Sequence, residues 1–365
     1  MSKKSHFYTD RPDYTFWRKG VSQLKLDQFD PVVSFPFRIE KSDKVATAGS
    51  CFAQHISRHM SAAGFTYLVT ETAHPIAPPE LAAEFSYGTF TARFGNLYTA
   101  RQLAQLFDRA YGTFSPKEDA WTQAGRWFDP FRPGVEPGGF ATETEYLAHR
   151  RQHFAAVRRM FEELDYFVFT LGLTECWVSA EDGAAFPVCP GTIAGEFDPA
   201  RHKFVNFEVE DVVADLGKFL SALAQVNPKA RMILTVSPVP LMATAEDRHV
   251  AVSTTLSKAI LRVAAERIVQ SHGNVAYFPS YEIITANLSR GRYYAPDLRS
   301  VTEQGVKHVM RLFLKHAAAT APAPARSQAA AAAAGPTAPP AADTFYSRAQ
   351  HVVDVICDEE ALDRP

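Results

Sequence analysis

A three-layer α/β/α fold on a parallel sheet is what this sequence predicts. Short, almost wholly apolar runs recur at residues 44–49 (KVATAG), 165–171 (DYFVFTL) and 231–236 (RMILTV). Segments with apolar residues three or four apart lie between them. A strand apolar on both faces must be covered on both, and intervening helices supply the covers. The length, 365 residues with 46% hydrophobic, suffices for one large core or two smaller ones.

Residues 1–42 are aromatic and proline-bearing without periodicity (Phe16, Trp17, Phe35, Pro36, Phe37) and read as an arm packed over a domain at 43–318. The first strand, 44–49, ends at a glycine. A helix follows over 51–63, with Phe52, Ile56, Met60 and Ala63 in step, and Gly64 stops it. Residues 65–69 (FTYLV) are β-formers and predict a second strand. An irregular stretch at 70–99, carrying Pro75, Pro78 and Pro79, precedes a helix at 99–110 with Leu103, Leu106 and Phe107 on one stripe. Residues 111–139, rich in Pro, Gly and Trp, read as an insertion.

A long helix at 143–164 leads to the strand at 165–171, and a helix at 211–226, stopped by Asn227-Pro228, leads to the strand at 231–236. The helix at 249–269 steps through Val252, Leu256, Ile260, Val263 and Ile268. A short strand at 275–278 and a helix at 302–318, capped by Thr302 with Glu303 in its first turn, complete the alternation. Beyond it, 319–342 is Ala/Pro low complexity and reads as a linker. In 343–365, Phe345, Ala349, Val352, Val353 and Ile356 would line one face of a short helix, which must dock on this domain or on a protein partner.

A formal net charge of -2 provides no field for nucleic acid or an anionic membrane surface. No apolar run is long enough to span a bilayer, and residues 1–10 carry Lys3 and Lys4 without the apolar stretch of a secretory signal. The cysteines, Cys51, Cys176, Cys189 and Cys357, are scattered and lack metal-ligand spacing. The expectation is a cytoplasmic protein with reduced thiols and neither metal nor cofactor.

In an open parallel sheet, ligands bind beyond the carboxyl ends of the strands. The first strand ends in Gly49-Ser50-Cys51, and a serine between strand and helix sits where backbone N–H groups and the helix dipole face an oxyanion. The same serine could equally be an N-cap. The third strand leads to Glu175 beside Cys176 and Trp177, the fourth through Ser237-Pro238 to His249, the fifth to Glu282. Asp297 precedes the last helix.

Gly49-Ser50-Cys51-Phe52-Ala53 spells the signature of the GSCFA domain, and the sequence resembles that family further along. The resemblance runs through Tyr98-Thr99-Ala100-Arg101, Gly172-Leu173-Thr174-Glu175, Thr235-Val236-Ser237-Pro238, Ser257-Lys258 and Tyr277-Phe278-Pro279-Ser280-Tyr281-Glu282. It implies an SGNH-hydrolase and PC-esterase-like domain on a flavodoxin-like sheet, strand order 2-1-3-4-5. It further implies Ser50 as nucleophile with its own N–H in an oxyanion hole, Gly95 and Asn96 as further donors, and Glu175 where relatives place an asparagine. The family's last block usually reads Asp-x-x-His; here it is Asp297-Leu298-Arg299-Ser300.

A serine nucleophile needs a base, and Ser300 is no better suited than Ser50. His249 and His74, each following a strand, are the candidate replacements; Glu175 or Glu282 could serve if burial raises its pKa. The function expected is a serine esterase or O-acyltransferase acting on a small ester or acetylated glycan. The alternative is a non-catalytic ligand-binding module that has lost the catalytic histidine.

Overall fold

The computed structural model describes residues 6–50 and 52–319. In chain order the first half contains β1 (Val45–Gly49), α1 (Phe52–Ala62), α2 (Pro79–Glu84), α3 (Ala100–Ala110), β2 (Trp121–Gln123), β3 (Arg126–Phe128) and α4 (Glu143–Glu163). Next come β4 (Tyr166–Leu171), β5 (Glu175–Ser179), β6 (Ala185–Phe186), β7 (His202–Asn206), α5 (Val209–Val226) and β8 (Arg231–Val236). The chain continues with α6 (Val250–Ser271), β9 (Val275–Tyr277), α7 (Ser280–Thr285) and α8 (Glu303–Ala317).

The central sheet is parallel throughout, in the order β1-β4-β8-β9. Every residue of β1 and β4 is buried, as their unbroken apolar runs require. One face carries α3, α4, α5 and α6, where Leu103, Phe107, Phe161, Phe219 and Leu261 pack on Phe167 and Phe169. The other face carries α1, α7 and α8, with Ile56, Met60, Ile284, Val309 and Phe313 against Val168 and Ile233. Each such side chain contributes roughly 1.5–3 kcal/mol on burial. The result is the three-layer α/β/α fold.

The second strand differs from its sequence reading. Residues 65–69 make only a single parallel bridge, Tyr67 with Val45, on the outer edge of β1. The spatial order 2-1-3-4-5 is retained, with the second strand cut to that bridge. Thr91 is the reason: its hydroxyl accepts the Thr47 N–H at 3.1 Å, and its carbonyl accepts the Thr70 N–H at 2.7 Å. The residue that would have been a ladder partner is displaced by a loop.

The arm goes deeper than a surface layer. Phe37 and Ile39 are buried in the second core, where Phe35 meets Phe278 edge-on and Phe37 meets Tyr166. Ile39 also pairs with Ala318 beyond α8. Within the predicted insertion, β2 and β3 form a hairpin. A small antiparallel sheet, β6-β5-β7, follows β4 after Gly172–Thr174, a region with no element expected. Residues 320–342 of the linker, and the helix expected at 343–365, lie outside the described residues.

Candidate active site

Ser50 follows Gly49 at the carboxyl end of β1, and its carbonyl accepts the Ala53 N–H at 2.8 Å as α1 begins. Gly49 has φ +130°, a conformation that favours glycine, and Thr170 of β4 lies against it. The Ser50 side chain is only 4% exposed, yet its Oγ makes no hydrogen bond among the described residues. A serine acting as an N-cap would use that oxygen to accept a backbone N–H of the first turn. Two more buried groups nearby in the chain and sheet have no hydrogen-bond partner among the described residues: the Gln54 amide, one turn into α1, and Thr170 Oγ1. Buried polar groups are normally bonded within the protein. A set of them at one strand end suits a polar ligand.

The loop across this strand end carries Gly95 and Asn96, both buried, Gly95 at φ +72°. Leu97 N–H donates to the Gly49 carbonyl at 3.0 Å, and the Tyr98 carbonyl accepts the Gly172 and Leu173 N–H groups at 2.9 and 3.0 Å. These bonds lay residues 95–98 over the ends of β1 and β4, beside Ser50.

A buried charge cluster fixes the loop from behind. Arg93 N–H donates to Glu71 Oε2 at 2.8 Å, and Arg132 Nη1 donates to the Arg93 carbonyl at 3.1 Å. The fully buried Arg93 guanidinium reaches the Phe85 and Val135 carbonyls at 2.7 and 2.6 Å, and pairs with Glu136 at 3.2 Å. His153 Nδ1 lies 2.7 Å from Glu71 Oε2, and since a carboxylate only accepts, the ring donates. Burial pushes the Glu71 carboxyl up, but the hydrogen bond from His153, the Arg132 charge and the Arg93 N–H outweigh it and hold it below the usual range. Asp129 behaves alike: burial is opposed by Arg132 and Arg109, which bring it down to about 2. For His153, burial and then Arg132 lower the pKa to about 4 despite Glu71. The ring is therefore neutral at pH 7, and its contact with Glu71 is a hydrogen bond to a charged acceptor rather than an ion pair.

The remaining residues singled out from sequence are bonded to partners other than Ser50. Glu175 opens β5 and accepts from Thr244 Oγ1 at 2.6 Å and Ala245 N–H at 3.1 Å. It borders a cavity of about 280 Å³ walled by Leu173, Trp177, Val188 and Leu241. Asp297 is exposed and accepts the Arg299 and Ser300 N–H groups, both at 3.0 Å, and the Ser300 hydroxyl at 2.5 Å. Asp297 to Ser300 is thus a closed turn. His249 is the exposed N-cap of α6, its Nδ1 accepting the Ala251 N–H at 3.1 Å. His74, also exposed, accepts the Ile76 N–H at 3.2 Å. Glu282, in α7, is held by Arg262 Nε at 2.9 Å and by the Tyr277 hydroxyl at 2.8 Å. No hydrogen bond among the described residues joins any of these to Ser50. The structure gathers Ser50, Gly95 and Asn96 at one strand end. Nor is there, among the described residues, a cluster of three or more His, Cys, Asp or Glu able to hold a metal ion, or a helix long and apolar enough to cross a membrane.

One residue at this strand end was given no role from sequence, although Ser257-Lys258 is part of the family resemblance. Lys258 of α6 is 2% exposed, and its Nζ donates to the Gly172 carbonyl at 2.6 Å. Next to it, Ser257 Oγ accepts the Thr174 N–H at 3.1 Å. The available signal was a Ser-Lys pair on the buried side of a helix, in line with Leu261 and Ala265.

A model of the GSCFA family matches residues 44–313. Among solved structures, a carbohydrate esterase family 3 from Talaromyces cellulolyticus is similar at 11% identity and a TM-score of 0.33, covering 74% of this chain and 94% of that one. No curated protein matches the chain.

Proposed function

The chain belongs to the GSCFA family, and from the site it carries we propose a serine-dependent enzyme of acyl esters, an esterase or O-acyltransferase acting on a small ester or acetylated glycan. One observation carries this reading: the buried Ser50 hydroxyl at a strand-to-helix junction that bonds to nothing else in the described protein. Its Oγ would attack the acyl carbonyl, with the oxyanion forming at the start of α1. Backbone N–H groups near Ser50 and Gly95, together with the positive end of the helix dipole, favour charge there. The leaving alcohol departs with a proton, and the acyl-serine passes its acyl group to water or to a second alcohol.

A second reading draws on Asp297 and Ser300. Their side chains satisfy each other in an exposed turn, in the block where a base is expected from family resemblance. A binding module that had lost its base would show this. A fluorophosphonate probe separates the two readings. The enzyme reading expects one adduct, on Ser50, abolished in Ser50→Ala at unchanged thermal midpoint. A folded wild-type chain that stays unlabelled would leave the binding module as the better account.

A further inference from the structure

We infer that Lys258 is the proton acceptor for Ser50, an inference that rests on the reading of Ser50 as nucleophile. Three bonds locate it. Gly49 and Thr170 are register partners on β1 and β4, so Ser50 and Gly172 are the first and second residues beyond that pair. Leu97 and Tyr98, adjacent in the chain, tie Gly49 and Gly172 to one short segment. Lys258 Nζ sits on the Gly172 carbonyl at 2.6 Å. With neighbouring strands about 4.8 Å apart, this puts the amine at the same strand end as the serine.

Competing bases are engaged elsewhere. His249 and His74 are exposed and spend Nδ1 on the backbone of their own turns, and Ser300 is bonded to Asp297. A lysine out of water gives up its proton more readily than one in water, and serine–lysine pairs are a known alternative to serine–histidine. An uncharged amine can donate one N–H to the Gly172 carbonyl and still offer its lone pair.

The proton inventory closes. Nζ takes the Ser50 proton as the Oγ–carbon bond forms, and returns it to the departing alkoxide as the ester C–O bond breaks. In the second half, water gives Nζ a proton as its oxygen bonds to the acyl carbon. That proton passes to Ser50 Oγ as the acyl–serine bond breaks, releasing the acid.

The test measures the fluorophosphonate labelling rate of Ser50 and the hydrolysis of p-nitrophenyl acetate in folded variants. Lys258→Met and Lys258→Arg are both expected to lower the rate by about 10² to 10⁴, because arginine does not release its proton. A Lys258→Arg rate within tenfold of wild type would mean that only a positive charge is needed, and overturns the inference while leaving Ser50 as nucleophile. If either variant fails to fold, Lys258→Ala with added ethylamine decides. Saturable recovery supports the amine as acceptor, and no recovery in a folded Ala variant overturns it. An unlabelled wild type removes the nucleophile itself, and this inference with it.

Discussion

Gly49→Ala is expected to destabilise the fold by at least about 4 kcal/mol, lowering the thermal midpoint by at least about 8 °C. A Cβ at Gly49 would stand 2.4 Å from the Thr170 carbonyl oxygen and 2.8 Å from Thr170 N and Cβ. Two of these three atoms are backbone of β4, so relief requires β1 and β4 to part at their carboxyl ends. The φ of +130° adds strain for any residue with a side chain. Gly88→Ala is the control: φ there is +76°, but no atom lies within 4 Å, so only the backbone cost of about 1–2 kcal/mol applies. Equal midpoints for the two variants, by calorimetry, would show that the close approach to Thr170 is unimportant. Labelling of Ser50 should fall in Gly49→Ala as well, because the same turn aims the serine.

Acid should unfold the protein from within the cluster behind the loop. His149 Nε2 faces Arg93 Nη1 at 2.5 Å, and its Nδ1 faces Arg132 Nη2 at 3.2 Å. A neutral imidazole can accept the shorter of these contacts, whereas a protonated ring would meet both guanidinium groups with donors. Burial, then Arg132 and Arg93, depress His149 to about 3, and His153 lies at about 4. Both folded values fall below the ordinary 6.5. The stability these rings contribute is therefore fully present above pH 6.5 and is lost as pH falls through the folded values, the unfolded chain taking up protons first. Together they predict a loss on the order of 5 kcal/mol between pH 7 and pH 4. Glu71 and Asp129, held down in the fold, add to the loss below about pH 4 in the same direction. Urea titrations at pH 7, 5.5 and 4 measure it. His149→Gln keeps an acceptor for Arg93 without a titrating proton and should lose roughly half as much over that range. The same slope in wild type and variant would place the acid sensitivity elsewhere.

Sequence by itself determined the layers and the chain's direction through them. The apolar runs that became β1, β4 and β8, the stripe of α3 and the Thr302 cap of α8 are local patterns, readable one segment at a time. They also sufficed to put Ser50 at a strand-to-helix turn. Tertiary structure alone decided what surrounds it. The contacts that build the site join residues far apart in the chain: Glu71 with His153 across 82 positions, Arg93 with His149 across 56, Lys258 with Gly172 across 86. No local spacing encodes such pairs, because each partner's segment is satisfied as helix or loop without the other. The same applies to residues 65–69, whose β-forming composition was real but whose pairing with β1 stops at Val45 because Thr91 takes Thr47. His249 and His74 were legible only as histidines near strand ends. Which way a ring points is settled by the nearest unsatisfied backbone group, and both rings found one in their own turn.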